Sequence, residues 1–276
     1  MRAATFSQGK VFAWVLPAAL LLSVSTAQPA RAQGPAVEQF ERTVPLASGG
    51  TFSLSNVNGS IEIEGWDRDE VEISARKFTT GTAENLRQVG IEVSLSSGSV
   101  AVATHYPEGS GVEVNVEFRV RVPARVHLAA VGTVNGSVTV HDVSGDGSLA
   151  AVNGNVLLER GAGTFSARAT NGNVSLELLS LDGGLASPAD SARAAQRAGI
   201  TAQTINGSVV VALPADAGAE LEARTQNGDF SSDLPLLAHT SAAGRAIRGR
   251  VGSGGPPLYV RTVNGSIRLR ISRPLV

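Results

Sequence analysis

The dipeptide Asn-Gly returns along this chain at Asn58, Asn135, Asn153, Asn171, Asn206, Asn227 and Asn264. The gaps are 77, 18, 18, 35, 21 and 37 residues. They lie close to multiples of a unit of about eighteen to twenty, a period that signals stacked repeats. Two places after the glycines (Gly59, Gly136, Gly154, Gly172, Gly207, Gly228 and Gly265) stand apolar residues: Ile61, Val138, Val156, Val174, Val209, Phe230 and Ile267. Alternation continues beyond most of them, as in "SIEIE", "SVTV", "NVSLEL" and "SIRLRI". That is the period-two signature of a strand with one buried face. A second turn signal, "SGDG" at 144–147 and "GAGT" at 161–164, divides the interval. The unit is strand, turn, strand, turn.

Asn and Gly enter left-handed backbone conformations at least cost, so each copy marks a sharp reversal or corner. An isolated copy reads as a type I′ hairpin turn. Repetition at a near-fixed period reads instead as the corners of a stacked solenoid. In such a stack equivalent asparagines lie about 4.7–4.8 Å apart. An amide both donates and accepts, so a column of them forms a self-satisfying ladder. The expected fold is all-β: a repetitive, parallel β-helix-like solenoid with an N-terminal β cap. The alternative is an antiparallel sandwich or meander built from hairpins. In both, the Asn-Gly residues are structural turn residues. Asn58, Asn135, Asn173, Asn206 and Asn264 also fit the Asn-x-Ser glycosylation pattern. Periodicity explains them better, because the Asn-Gly copies at 153, 171 and 227 lack a Ser after the Gly.

The first 32 residues read as a secretory signal peptide. Arg2 and Lys10 supply its charge, "VFAWVLPAALLLSV" its apolar stretch, and "ARA" at Ala30–Ala32 its cleavage pattern. No later run is long and apolar enough to span a bilayer, so no transmembrane segment is expected in the mature chain. The expected location is the periplasm or the medium. With no cysteine, the chain has no disulfide framework. Once Arg2, Lys10 and Arg31 leave with the signal peptide, 20 basic residues face 24 acidic ones, a formal charge of −4. Both signs are scattered, which argues against a nucleic-acid partner.

Residues 33–45 read as a flexible leader and 46–130 as a less regular N-terminal β region with one helical patch, "TAENLRQV". "VEVNVEFRVRV" is a long strand ending at Pro123. The Asn-Gly solenoid runs from 131 to 276. Within it, residues 182–200 leave the stack as a loop or short helix, with Ser187 as N-cap, Pro188 at the first helical position and Gly199 past its end.

"NVNGSIEIEGWDRDEVEI" (56–73), the "TVNGSV" copies, "LPADAGAELEARTQNGDFSSDLPL" (213–236) and "VRTVNGSIRLRI" (260–271) resemble a bacterial putative adhesin family. That family is a β-strand-repeat domain of unknown function found in exported envelope proteins. The resemblance spans about residue 45 to the C-terminus. It implies a repetitive β fold and export, and it implies no reaction.

Parallel β-helices also host polysaccharide-cleaving enzymes, which need two carboxylates facing one groove. The best local cluster is Asp67, Asp69 and Glu70 beside Trp66, and it reads as a turn with Trp66 as its packing anchor. His105, His127, His141 and His239 lack metal-ligand spacing. There is no G-x-S-x-G and no thiol nucleophile. No catalytic residue, cofactor site or metal site is expected. The mature chain holds one Trp and two Tyr, too few for an aromatic sugar platform. The expected function is a non-catalytic exported interaction module, its partner an envelope or surface component, protein or polysaccharide. The alternative is a β-helix carbohydrate-active enzyme acting on an envelope or extracellular polysaccharide.

Overall fold

The computed structural model describes residues 36–107, 111–181, 199–240 and 246–272. The signal peptide and nearly all of 182–200 lie outside them. The chain begins with β1 (Ala36–Pro45), β2 (Thr51–Ser55), β3 (Ile61–Trp66) and β4 (Glu70–Thr79). Helix α1 (Ala83–Gln88), the helical patch of the sequence, leads to β5 (Gly90–Ser96), β6 (Ser99–His105) and β7 (Asn115–Pro123). The most regular stretch holds β8 (Arg125–Asn135), β9 (Val138–His141), β10 (Ser144–Asn153), β11 (Val156–Asn171) and β12 (Val174–Ser180). After it come β13 (Ile200–Gln203), β14 (Val209–Leu213), β15 (Ala219–Arg224) and β16 (Phe230–Ser232). The last four are β17 (Leu236–Thr240), β18 (Ala246–Val251), β19 (Pro257–Arg261) and β20 (Ile267–Ile271).

All these strands join one mixed sheet that turns a corner at every Asn-Gly. The face before the corner runs β5, β6, β2, β8, β10, the second half of β11, β13, β19, β15, β18, β17. The face after it runs β1, β4, β7, β3, β9, the first half of β11, β12, β14, β20, β16. Pairing is parallel from β6 to β15 on the first face and from β7 to β16 on the second. It turns antiparallel at the ends, where β4, β1 and β5 cover one end and β18 and β17 half of the other. The fold is therefore all-β and mixed, not parallel throughout. The physical reason is edge protection: an open parallel edge invites pairing with another chain, and a folded-back hairpin occupies it.

Register carries the core. Ile61, Val138, Val156, Val174, Val209, Ile267 and Phe230 form one column across the second face. All are buried but Phe230, which is half-buried on the outermost strand. Ile63, Val140, Leu158, Leu176, Val211 and Leu269 repeat this one pleat further along. From the first face Leu54, Val131, Leu149, Ala167, Ala202, Val260 and Ala223 meet them. Phe165 lies over Gly147, where a Cβ would stand 3.2 Å from its ring.

Three expectations change. Residues 36–45 are not a leader: they form β1, paired along its length with β4, with Val44 buried. Ile200 belongs to β13, opposite Leu258, because its side chain enters the core. No boundary falls at residue 130, since β2 and β3 pair directly with β8 and β9. The long gaps in the repeat are also not skipped coils. Asn58 neighbours Asn135 and Asn171 neighbours Asn206 directly. Most unexpectedly, the coil of Asn264 lies between those of Asn206 and Asn227.

Candidate functional site

The Asn-Gly corners stand in one column. Asn135 Nδ2 donates to Asn58 Oδ1 (2.7 Å), Asn153 to Asn135 (2.8 Å), Asn171 to Asn153 (2.9 Å) and Asn206 to Asn171 (2.8 Å). Asn264 donates to Asn206 and Asn227 to Asn264, both at 2.8 Å. Each interior amide thus donates once and accepts once. At one end Tyr106, itself donating to the Val114 carbonyl (2.9 Å), hydrogen-bonds Asn58; burial raises its phenol above the usual value. In Asn135, Asn206 and Asn264 the nitrogen a glycan would need is already engaged.

None of these asparagines is left-handed. The glycines carry the demand: Gly59, Gly136, Gly207, Gly228 and Gly265 lie at φ between 118° and 156°, and at all seven corners space adds a second constraint. A Cβ on Gly136, Gly154, Gly172, Gly207, Gly228 or Gly265 would stand 1.9–2.2 Å from the carbonyl oxygen of the glycine in the adjacent coil. On Gly59 it would meet the Val116 carbonyl at 2.2 Å. Only a residue without a side chain lets the coils stack this closely.

Two functional positions escaped the sequence reading. Two residues before the asparagine, Thr133, Thr204, Thr262 and Thr225 donate their hydroxyls to the glycine carbonyl of the adjacent coil, at 2.7–3.0 Å. Asn56 fills the same place in the Asn58 coil, donating to the Gly59 and Val116 carbonyls. Ala151 and Ala169 hold it in the two remaining coils. The signal was legible as T-x-N-G, written four times. Three residues before the asparagine, Gly132, Ala150, Arg168, Gln203, Arg261 and Arg224 form an outward column in stacking order.

The opposite corner is tied by charge. Asp142 and Arg160 are the non-glycine residues at positive φ, 56° and 53°, among those described. Arg160 donates from both Nε and Nη2 to the Asp142 carboxylate. That hydrogen bonding, chiefly, holds the Asp142 carboxyl below the ordinary carboxylate range.

The carboxylates that gather do so beside arginines: Glu41, Glu62 and Glu117 line one depression of about 370 Å³ with Arg76 and Arg119, where Arg119 pairs with Glu62 (3.1 Å) and Arg76 with Glu117 (3.6 Å). Glu64, His141 and Glu159 share one register on the second face, but Glu64 pairs with Arg121 (3.4 Å) and Glu159 with His141 (3.1 Å). At the Trp66 turn the indole donates to the Glu70 carbonyl (2.9 Å), and Arg68 and Arg121 cover its ring. Asp69 there accepts from the Ser48 amide (2.8 Å), which makes this cluster a tied-down turn. His105 and His127 each face a single carboxylate, Glu92 and Asp146, and no group of three metal-binding side chains assembles among the described residues.

This architecture is that of a repeat domain, and the comparisons give it a family. The Toastrack DUF4097 family model matches residues 40–270, so the chain belongs to that family, a domain of unknown function. The resemblance read from the Asn-Gly motifs therefore holds. No curated protein matches the chain. Among solved structures, it is similar to a putative cell adhesion protein from Clostridium sporogenes (11% identity, 84% of this chain and 99% of the other, TM-score 0.43). It is also similar to putative adhesins from Bacteroides fragilis (10%, 84% and 97%, 0.25) and Parabacteroides distasonis (8%, 84% and 97%, 0.25).

Proposed function

We propose that this protein is an exported, non-catalytic β-solenoid module that presents an outer face to a component of the cell envelope or its surroundings. The observation that supports this most is the division of labour within each coil. Inward residues fill the core, and the corner asparagines and threonines bond to their neighbours. Apart from Arg224, which pairs with Glu222, the outward side chains three and one before each asparagine have no bonding partner among the described residues. A scaffold of this kind varies those positions without touching its own stability. The pairing of the aligned carboxylates with basic partners supports a non-catalytic reading, because a glycosidase needs two carboxyls in contrasting environments across a groove. The cleavage pattern at Ala30–Ala32 supports export, with a mature chain starting at Gln33.

The test is capture of envelope components on the immobilised mature chain, beside a version lacking one eighteen-residue coil, 136–153. Retained material that disappears with the deleted coil, while the circular dichroism of a β fold persists, is the expected result. New reducing ends released from envelope polysaccharide by the same preparation would favour the carbohydrate-active enzyme instead. N-terminal sequencing of the periplasmic and medium fractions tests export; an intact Met1 in the inner membrane would refute it.

A further inference from the structure

Three shallow depressions lie end to end along the outward side of the first face. The first, about 290 Å³, is lined by Ala130, Gly132, Val134 and Ala150 among others. The second, about 460 Å³, shares Ala150, adds Val152, Ile205 and Val263, and reaches Arg168 and Arg261. The third, about 350 Å³, shares Arg168, Gln203 and Arg261 and continues to Arg224, Glu222 and Tyr259, so three arginines there face one carboxylate. Together they make one trough that follows the stacking axis. The column three before each asparagine gives it a direction: Gly132 and Ala150, then Arg168, Gln203, Arg261 and Arg224. Five strand-to-strand steps make it roughly 24 Å long at about 4.8 Å each.

The two ends differ chemically. One is floored by glycine and alanine and edged by Val134 and Val152, which are 39% and 41% exposed. Val152 shares its depression with Ile205, 47% exposed, and Val263, so the exposed apolar side chains are contiguous, as on a contact surface. The other end is cationic. Arg168 and Arg261 have no carboxylate partner among the described residues, while Arg224 shares Glu222 with Arg248. Ser166, which precedes Arg168 on the same outward side, holds the one buried side-chain oxygen without a hydrogen-bond partner among the described residues. A guanidinium presents a planar fork of donors suited to a carboxylate or phosphate.

A bilayer is a poor fit, because the apolar end is recessed and small, without the Trp, Phe and Leu that insert at an interface. A charged polysaccharide is poorer, because that half offers no aromatic ring to stack on a sugar and only short hydroxyls, Ser55 and Ser148, beside its Gly, Ala and Val. We propose that the trough holds a single anionic amphiphile. Its acyl chain lies along Gly132, Val134, Ala150 and Val152, and its carboxylate or phosphate lies against Arg168 and Arg261. This assignment rests on the interaction-module reading and names the ligand chemistry for it.

Titration calorimetry of the full mature chain tests it with palmitate below its micellar concentration. The controls are 1-hexadecanol, which keeps the chain without the charge, butyrate, which keeps the charge without the chain, and phosphatidylglycerol vesicles. Palmitate should bind one to one, hexadecanol about tenfold or more weaker, and butyrate undetectably. The double variant Arg168→Gln, Arg261→Gln should weaken palmitate by about tenfold or more. Ala150→Glu should also weaken it, through the chain end of the trough. All three residues are exposed, and unchanged thermal unfolding verifies that the variants fold. Absent palmitate binding, equal affinity for hexadecanol, an unaffected arginine double variant, or binding to vesicles alone would each overturn the proposal. Repeating the envelope capture with the double variant separates the two readings. If capture falls while palmitate never binds, the module stands and the amphiphile does not. If the wild-type chain captures nothing, the module reading fails as well.

Discussion

Asn153→Ala is the sharpest test of the amide column, because the structure fixes what is lost. Its Nδ2 donates to Asn135 and its Oδ1 accepts from Asn171, at 2.8 and 2.9 Å. The ladder is exposed, so water replaces part of each lost bond, and the low half of the usual 0.5–1.5 kcal/mol per hydrogen bond applies. Two bonds then amount to about 1–2 kcal/mol. No backbone contribution is added, since Asn153 does not adopt positive φ. Asn264 also makes two ladder bonds, because its coil is interior to the stack although it is late in the chain. Asn264→Ala should therefore cost as much as Asn153→Ala. Asn227 makes one, so Asn227→Ala should cost about half. Chemical denaturation with a common m-value measures all three, and a double-mutant cycle between Asn153 and Asn171 isolates their shared bond. Losses equal across the three, or Asn264 behaving like Asn227, would mean that the amides are independent surface turns.

Three further outcomes follow from the same coordinates. Gly154→Ala places a Cβ 1.9 Å from the Gly136 carbonyl and should cost about 3 kcal/mol or more. Gly98→Ala meets nothing within 4 Å and should cost only about 1–2 kcal/mol from its left-handed φ of 71°; thermal unfolding of the pair separates crowding from conformation. Ala169→Thr supplies the hydroxyl that four other coils carry toward a glycine carbonyl, and should raise the unfolding free energy by up to about 1 kcal/mol in chemical denaturation; a loss would show that this coil lacks the room. Asp142 has a depressed folded pKa, so its contribution is present above the unfolded carboxylate value of about 3.9 and lost as pH falls through the lower folded value. The stability gap between wild type and Asp142→Asn, at most about 1 kcal/mol for so exposed a pair, should exist at pH 7 and close by about pH 2; a gap unchanged across that range would refute the pairing.

The eighteen-residue spacing of Asn135, Asn153 and Asn171 made register legible, because a constant interval with one apolar residue at a constant offset stacks Val138, Val156 and Val174. It could not show the order of coils elsewhere. A coil containing Asn264 is chemically equivalent to one containing Asn227, and nothing local in "RTVNGSI" states which neighbour it will pair with. The strand from Ala36 was missed for a related reason. "AVEQFERTVP" carries three charges and alternates weakly, since β1 is an edge strand with one partner, and its place depends on the distant β4. The arginine column was written at a fixed offset from each asparagine. It carries no hydrophobic period, and it becomes a feature only when the coils are stacked in their true order.

That order changes how the stack must be held together. In a sequential solenoid each repeat contacts only its chain neighbours, and stability approaches a sum of local terms. Here both ends break the rule in the same sense. The strands β6 and β7 lie outside β2 and β3, although the chain next returns inward to β8 and β9. At the other end β15 and β16 lie outside, and β19 and β20 return to fill the space beside β13 and β14. The inserted coil closes two parallel interfaces at once on each face. Until it docks, β13 and β14 present open edges, and β15 has only the hairpin partner β18. The last coil in the chain thus couples the regular stack to its terminal cap. It also places Arg261 between Gln203 and Arg224, so the cationic end of the trough is complete only when the C-terminal coil is in place.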